Sequence, residues 1–445
     1  MSDLKSTGGQ SAPATPAPAS PTLREMLSLW LPLAASVIMM VLEPSTINIA
    51  LGRTLDPELA LAAYGVAFSL ALLVEAPIIM LIDASVARSV DREAFRLMRR
   101  FALLLGLIVT AIGLLVSFTP LYTLIVEQLM NIPADVAARA RPTTQILSFW
   151  PLPIGWRRAH QGVLIRANRT GMITVATGVR LLTLAGALFG GLLLLPDRGS
   201  VIAGVAMDIS VTVEAALITL ATRPVLREGA FRAARQHEKS PRTMRDLWRF
   251  YRPLLVTTIL RQSSRPILNT GIAAAAMARP SLAAWPVTWG FAILVAGPAW
   301  SLQQLTTALA EDEAAYRRVR AFSMGLSVVF ACLLVLTAFT PLYGLVMGGV
   351  YNLSPQLQDL ARPALQLMAV YPLLMGGQSL LRGVAILAGN TGLVRSAMTI
   401  NVLVLAGTLL AGVRLFALSG VLLAALAVVA GAVAELAWLL WKRGS

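Results

Sequence analysis

Charged residues stand inside long apolar stretches of the sequence, and one group of them has the chemistry to bind an anion. Arg261 and Arg265 are four residues apart, so they share one face of a helix, and Gln262 is adjacent. An arginine at the centre of a bilayer costs about 2.5–3.5 kcal/mol on insertion scales, so it needs a partner or a wet cavity. Because guanidinium groups offer planar, bidentate donors, these residues are predicted to bind carboxylate or phosphate groups.

An acidic residue, Glu43, lies at a similar depth in another apolar stretch near the N-terminus. We expect Glu43 to lie across a cavity from the two arginines. There it either contacts the substrate or forms an ion pair with Arg265 that locks two parts of the molecule together. Asn48 and Asn269, in the same two stretches, are further candidates for substrate binding.

Other polar residues are candidates for gating or ion coupling. Arg180 and Glu214 lie at similar depth, which favours a structural ion pair, and Asp208 either extends that pair or binds protons. Glu435, near the inner end of the last stretch, is expected to reach the interface by snorkelling. Glu75 is either a gate or coupling carboxylate or a solvated residue at the cavity mouth. The gate and coupling candidates are Glu75, Asp208, Glu214, Arg180 and His160.

The composition indicates how these residues are held. Hydrophobic residues make up 57% of the 445, and charged residues only 13%, whereas soluble domains carry roughly a quarter. Apolar runs near the roughly 20 residues that cross a bilayer predict an all-α polytopic membrane protein. Twelve transmembrane helices are expected near 27–52, 59–82, 101–120, 143–156, 170–195, 201–222, 250–275, 282–306, 321–347, 364–378, 396–413 and 418–441.

The sequence repeats itself without a gap at an offset of 221 residues. Residues 118–122, Phe-Thr-Pro-Leu-Tyr, return at 339–343, and the register holds from residue 32 to residue 171. Because six spans are an even number, the copies are parallel six-helix repeats, with a cavity expected between them. Arg265 corresponds to Pro44 and Glu43 to Ser264, so we expect a repeated scaffold without repeated charges. The predicted units are a disordered tail (1–22), a first bundle (23–222), a basic linker (223–243) and a second bundle (244–443).

The basic residues indicate topology rather than nucleic-acid binding. Of the 37 Lys and Arg residues, 26 fall in segments expected to be cytoplasmic and seven in outer loops. This is the positive-inside pattern, which places both termini in the cytoplasm and accounts for the net charge of +15. The single cysteine, Cys332, lies in an apolar span, so neither a disulfide framework, a metal site nor a cofactor is expected.

Several strings resemble the progressive ankylosis protein family, within the superfamily of MATE-like exporters and lipid-linked oligosaccharide flippases. Residues 265–269, Arg-Pro-Ile-Leu-Asn, preceded by Ser264, resemble the seventh helix of that family. Residues 61–67 resemble its second helix, and residues 160–162 and 382–383 resemble matching segments of the two halves. The resemblance implies a MATE-like fold and export of anionic metabolites such as pyrophosphate, nucleotide triphosphates and citrate. The Ala/Arg-rich composition suggests a bacterial inner membrane.

The leading hypothesis is a secondary exporter of small organic or phosphorylated anions that rocks two bundles about a central site, with a proton or sodium ion as a possible coupling partner. No phosphate-binding Gly-x-x-x-x-Gly-Lys-Ser/Thr loop is present, so ATP hydrolysis is not expected, and no enzymatic constellation appears. One alternative is a MATE-like cation or multidrug antiporter driven by protons or sodium, since Glu43 and Glu75 supply carboxylates. A further alternative is a lipid-headgroup flippase.

Overall fold

The protein is all-helical. The computed structural model describes residues 21–167, 169–228, 241, 243–310, 312–388 and 390–444. Their helical segments in chain order are α1 (Leu23–Leu51), α2 (Pro57–Arg88), α3 (Arg92–Phe118), α4 (the consecutive helices Ala134–Leu147 and Pro151–Arg166), α5 (Thr170–Leu194), α6 (Gly199–Glu228), α7 (Met244–Ala274), α8 (Ala278–Leu309), α9 (Glu313–Phe339), α10 (Pro355–Leu387), α11 (Thr391–Leu415) and α12 (Gly420–Gly444). The predicted all-α polytopic fold is confirmed.

Ten of these segments are long and apolar enough to cross a membrane, which makes the chain an integral membrane protein. The other two, α4 and α7, occupy the places of the fourth and seventh predicted spans. Both fall short because they carry more charge, including Arg157 and Arg158 in α4 and Arg261 and Arg265 in α7. Membrane crossing by α4 and α7 stays a prediction from the sequence.

The repeat is visible in the helix boundaries. Helix α1 begins at Leu23 and α7 at Met244, while α3 ends at Phe118 and α9 at Phe339, each pair 221 positions apart. The N-caps are repeated as well, because Thr22 and Thr243 both form capping boxes with the acidic residue three positions on. Local sequence therefore starts the first helix of each copy in the same way, which fixes the register of the polar residues along it.

Helices α4 and α10 run on to Arg166 and Leu387 as bent helical segments, as expected from the Pro-rich joints that obscure the ends of the fourth and tenth predicted spans. Two details differ from the predictions. The sequence predicts mid-span breaks at Pro44 and Pro266, but α1 and α7 continue through them, since neighbouring helices can support a helix that has lost one backbone bond. Helix α6 extends into the predicted linker as far as Glu228, while residues 229–240 and 242, and the tail as far as residue 20, lie outside the described residues.

Helices from the two copies pack against each other in a crossed pattern. We call residues 23–222 the first half and 244–443 the second half, following the proposed division. Three helix pairs make the extensive contacts between the halves: α1 with α8, α2 with α8, and α7 with α2. The Asn48 amide donates to the carbonyl of Pro286 at 2.8 Å, and the repeat-related Asn269 amide donates to that of Gly65 at 3.4 Å. The two contacts are repeat-related because Gly65 and Pro286 are also 221 positions apart.

Candidate functional site

Helix α7 carries the predicted anion-binding residues Arg261, Gln262 and Arg265, with the two arginines on one face. Arg261 is exposed, while Gln262 and Arg265 are half-buried, with Arg265 one turn further into the helix. Among the residues that the structure describes, neither arginine has a carboxylate within ion-pair distance. Arg265 is thus a partly buried positive charge without a neutralising partner in the described part of the chain.

The surroundings of Arg265 are aromatic and come from both halves. The ionisable groups close enough to act on its charge are Arg261, Tyr64 on α2 and Tyr371 on α10. Tyr64 stacks on Phe68, with 5.5 Å between ring centroids. The aromatic clusters are repeat-related at the 221-residue offset: Tyr64, Phe68 and Trp150 in the first half, and Trp285, Trp289 and Tyr371 in the second. Arg265 therefore lies between the aromatic clusters of the two halves.

Further charges extend the site towards α2, α4 and α10. Arg261 is within electrostatic range of Arg382 on α10 and of the exposed Asp83 on α2. Arg158 on α4 lies 3.7 Å from Glu75, which is only 2% exposed, so Glu75 is not the solvated mouth residue that the sequence left open. Arg158 is paired with Glu75 and Arg382 with Glu435, whereas Arg261 has only the exposed Asp83 within electrostatic range and Arg265 has no carboxylate among the described residues.

The predicted position of Glu43 is wrong. Glu43 is 6% exposed and forms an ion pair with Arg180 on α5. It is not among the groups that act on Arg265. The prediction matched depths counted from helix ends, but α1 packs on α5 and α8 rather than on α7, so equal depth does not bring these side chains together.

Glu214 on α6 is the centre of a buried polar network in the first half. Its side chain is 1% exposed. It pairs with Arg157 on α4 and, at 3.2 Å, with Arg180, which confirms the predicted Arg180–Glu214 pair. The Thr177 hydroxyl donates to it at 3.0 Å. Because Arg180 also forms an ion pair with Glu43 on α1, the network connects four helices of the first half, α1, α4, α5 and α6.

The second half repeats this acid, so the expectation that charges are not repeated is wrong. Glu435 stands 221 positions after Glu214 and is 1% exposed, which also excludes the predicted snorkelling to the interface. It accepts hydrogen bonds from Arg382 at 2.7 Å and from Asn401 at 2.9 Å. The donors differ between the halves. Arg157, Gln161 and Arg180 correspond to Gln378, Arg382 and Asn401. The 221-residue offset by itself could have revealed the pair of acids. The hydrogen-bond donors to each acid could not be inferred without the helix packing.

The remaining candidates lie on other helices, except for Asn269, which is one turn beyond Arg265 on α7. His160 is 2% exposed, and its Nδ1 atom bonds the carbonyl of Trp156 while its ring packs edge-on against Phe95, which is a packing role. One carboxyl oxygen of Asp208 is buried without a hydrogen-bond partner among the described residues, so Asp208 does not extend the Glu214 network. Asn48 and Asn269 use their amide nitrogens in the contacts between the halves.

The corrected partner of Glu43 can be tested by a double-mutant cycle. We expect Glu43→Ala and Arg180→Ala to be non-additive in unfolding free energy by about 0.5–3 kcal/mol, because each removes the same contact. Thermal unfolding of the purified single and double variants in detergent measures this coupling. The matched control pairs Glu43→Ala with Arg265→Ala, which should be additive. Coupling of Glu43 to Arg265 instead of Arg180 would contradict the assignment.

Comparison with known proteins places this arrangement in a known fold. No protein-family model matches the sequence, and no curated protein matches it. Among solved structures, an inward-facing multidrug resistance MATE family transporter of the MOP superfamily superposes with a TM-score of 0.74 at 17% identity, over 94% of this chain and 97% of that one. A MOP superfamily transporter from Pyrococcus furiosus, described as having a binding pocket of reverse polarity that suggests a different function, gives 0.62 at 16%, over 94% of each chain.

A third similar structure has a different role. The lipid II flippase MurJ, in an inward closed conformation, gives a TM-score of 0.69 at 14% identity, over 94% of this chain and 87% of that one. At these identities the likeness establishes the fold alone. The protein thus has the fold of MATE and MOP superfamily transporters, as the sequence predicted.

Proposed function

We propose that the protein is a secondary transporter that exports small organic or phosphorylated anions by alternating access between its two halves. One observation carries the proposal: Arg265 is half-buried within α7 and lacks a carboxylate partner among the described residues. An unpaired arginine in a membrane interior is costly, and a bound carboxylate or phosphate would neutralise it through bidentate hydrogen bonds. Arg261, one turn away, and Gln262 would complete the anion site. Anion export also agrees with the resemblance to the progressive ankylosis protein family.

The alternative of a cation antiporter has less support from the geometry. The carboxylates that kept it open, Glu43 and Glu75, are paired with Arg180 and Arg158 and are therefore not free to bind a cationic drug. The shared fold does not determine the charge of the binding pocket, since the similar transporter from Pyrococcus furiosus is described as having a binding pocket of reverse polarity. A lipid-headgroup flippase stays a second candidate, because MurJ is among the similar structures and a lipid-linked phosphate is also an anion.

Reconstitution separates the three functions. Purified protein in liposomes is tested with labelled citrate, pyrophosphate and ATP, with a cationic dye, and with a fluorescent lipid-linked phosphate, under an imposed proton or sodium gradient. The proposal expects uptake of at least one soluble anion and none of the dye. Transport of the dye alone would support the antiporter, and translocation of the lipid alone would support the flippase. Empty liposomes are the control.

A further inference from the structure

A cluster of exposed charges bridges the two halves at one end of the molecule. We call this the outer end. It carries the α1–α2 and α7–α8 connections, opposite the start of α1 and the end of α12, and the expected topology places it outside the cell. There the guanidinium of Arg279, in the first turn of α8, lies 3.2 Å from Glu58, 3.1 Å from Asp135 and 3.7 Å from Asp56. All three acids belong to the first half, so Arg279 makes these ion pairs across the boundary between the halves.

The position of Arg279 has a specific relation to the repeat. Glu58 and Arg279 are 221 residues apart, so they occupy the same place in the two copies, at the start of α2 and of α8. These two helices pack against each other across the boundary between the halves. One repeated position thus carries opposite charges in the two copies, and the two side chains meet across the boundary.

The helix N-termini at this end stabilise the negative charges of the acids and destabilise the positive charge of Arg279. Asp56 caps α2 by accepting a hydrogen bond from the Leu59 amide at 3.1 Å, and Asp135 stands in the first turn of α4, where negative charge is stabilised. Arg279, in the first turn of α8, faces the positive end of that helix dipole. The three carboxylates offset this unfavourable position only while the halves are in contact.

Neighbouring contacts show that the outer end is closed in this conformation. The Asn352 amide donates to the carbonyl of Gly52 at 2.7 Å across the same boundary. A side chain at Gly52 would overlap the carbonyl oxygen of Tyr351, so the two backbones are in direct contact. The closed outer end also agrees with the similarity to an inward-facing structure.

We propose that Arg279, with Asp56, Glu58 and Asp135, forms a latch that holds the outer end closed, and that its ion pairs must break before the site can open to the outside. The inference adds a gate to the proposed alternating-access function. Because the latch charges are between about a third and half exposed, salt should weaken the latch. Arg279 acts here as a positioning residue for the closed state and not as a binding residue.

The test measures the separation of the halves directly. Nitroxide labels are attached to Leu129→Cys and Val350→Cys in a Cys332→Ser background. The two labelled positions are repeat-related and exposed on either half. Pulsed electron–electron double resonance measures the distances between the two labels on the full chain in liposomes, without any substrate. The distance distribution gives the ratio of separated to closed outer ends.

Arg279→Ala should raise that ratio about tenfold, as expected for the loss of several partly exposed ion pairs, and Arg279→Glu should raise it further. Arg53→Ala is the matched control, because Arg53 is an exposed arginine of the α1–α2 connection whose guanidinium bonds the Ile49 carbonyl and makes no ion pair among the described residues. It should leave the ratio unchanged. Combining Glu58→Arg with Arg279→Glu should lower the ratio relative to Arg279→Glu alone.

An unchanged distance distribution in Arg279→Ala would overturn the latch. Should that variant fail to fold, the wild-type protein still decides. Raising the salt concentration should shift it towards separation, and a salt-independent ratio would overturn the proposal. Since no substrate is present, this outcome is independent of whether the protein transports anions.

Discussion

Arg265→Ala should abolish transport of the anionic substrate while leaving the protein in the membrane at near-normal levels. The Arg265 side chain is half-buried and pairs with no carboxylate among the described residues, so its removal leaves no carboxylate without a partner there. Removing it should therefore spare folding and remove a charge-assisted contact with the substrate, which lowers affinity about 10- to 100-fold. Uptake in proteoliposomes at a fixed substrate concentration, together with the amount of protein in the membrane, measures the two effects separately.

Arg265→Lys distinguishes a binding role from charge alone. Lysine keeps the positive charge but loses the planar pair of donors, so we expect poor recovery of transport. Arg261→Ala should be milder than Arg265→Ala, because Arg261 is exposed and already within range of Asp83. Normal transport by Arg265→Ala, or its failure to accumulate, would assign Arg265 a structural role instead.

Glu214→Ala should have the largest effect on stability. It leaves Arg157 buried without its carboxylate and the half-buried Arg180 with only Glu43. Breaking a buried ion pair by removing one partner costs about 3–5 kcal/mol, which should lower the unfolding temperature of a chain of this size by roughly 3–5 °C. Glu435→Ala should cost less, because it strands the single guanidinium of Arg382.

The matched control lies on the same helix. Asp208 is also an acid of α6 but has no ion pair among the described residues, so Asp208→Asn should leave the unfolding temperature nearly unchanged. Thermal unfolding of purified protein in detergent, followed by tryptophan fluorescence, compares the three variants. Equal stability of Glu214→Ala and Asp208→Asn would show that the network contributes nothing measurable.

The architecture could be predicted from the sequence, because the repeat and the apolar runs are properties of whole helices and do not depend on where single side chains point. A constant offset requires two copies of one unit, and the helix caps at Thr22 and Thr243 follow the same offset. The Arg180–Glu214 pair was also accessible, since α5 and α6 are consecutive in the chain and pack side by side. Neighbouring helices joined by a short loop are antiparallel and adjacent, so two residues at equal depth lie at the same level of one helix pair and are good candidates for a contact.

The contact partners of residues on helices that are distant in the chain could not be predicted from the sequence. Depth along a helix can be counted from the sequence, but the direction in which a side chain points depends on packing. For this reason Glu43 was assigned to Arg265 although α1 faces α5 and α8. The ion pairs of Arg279 could not be predicted either, because its three acids come from the starts of two other helices.

Equilibrium binding of labelled anions to the purified protein tests the central claim most directly, since it depends neither on the coupling ion nor on the direction of transport. Labelled pyrophosphate, citrate and ATP are titrated against wild-type protein, Arg265→Ala and Arg265→Lys, with a cationic dye alongside. The proposal predicts saturable binding of at least one anion to the wild type, about 10- to 100-fold weaker in Arg265→Ala and only partly recovered in Arg265→Lys. Saturable binding of the dye without the anions, or anion binding that is unaffected by Arg265→Ala, would contradict it.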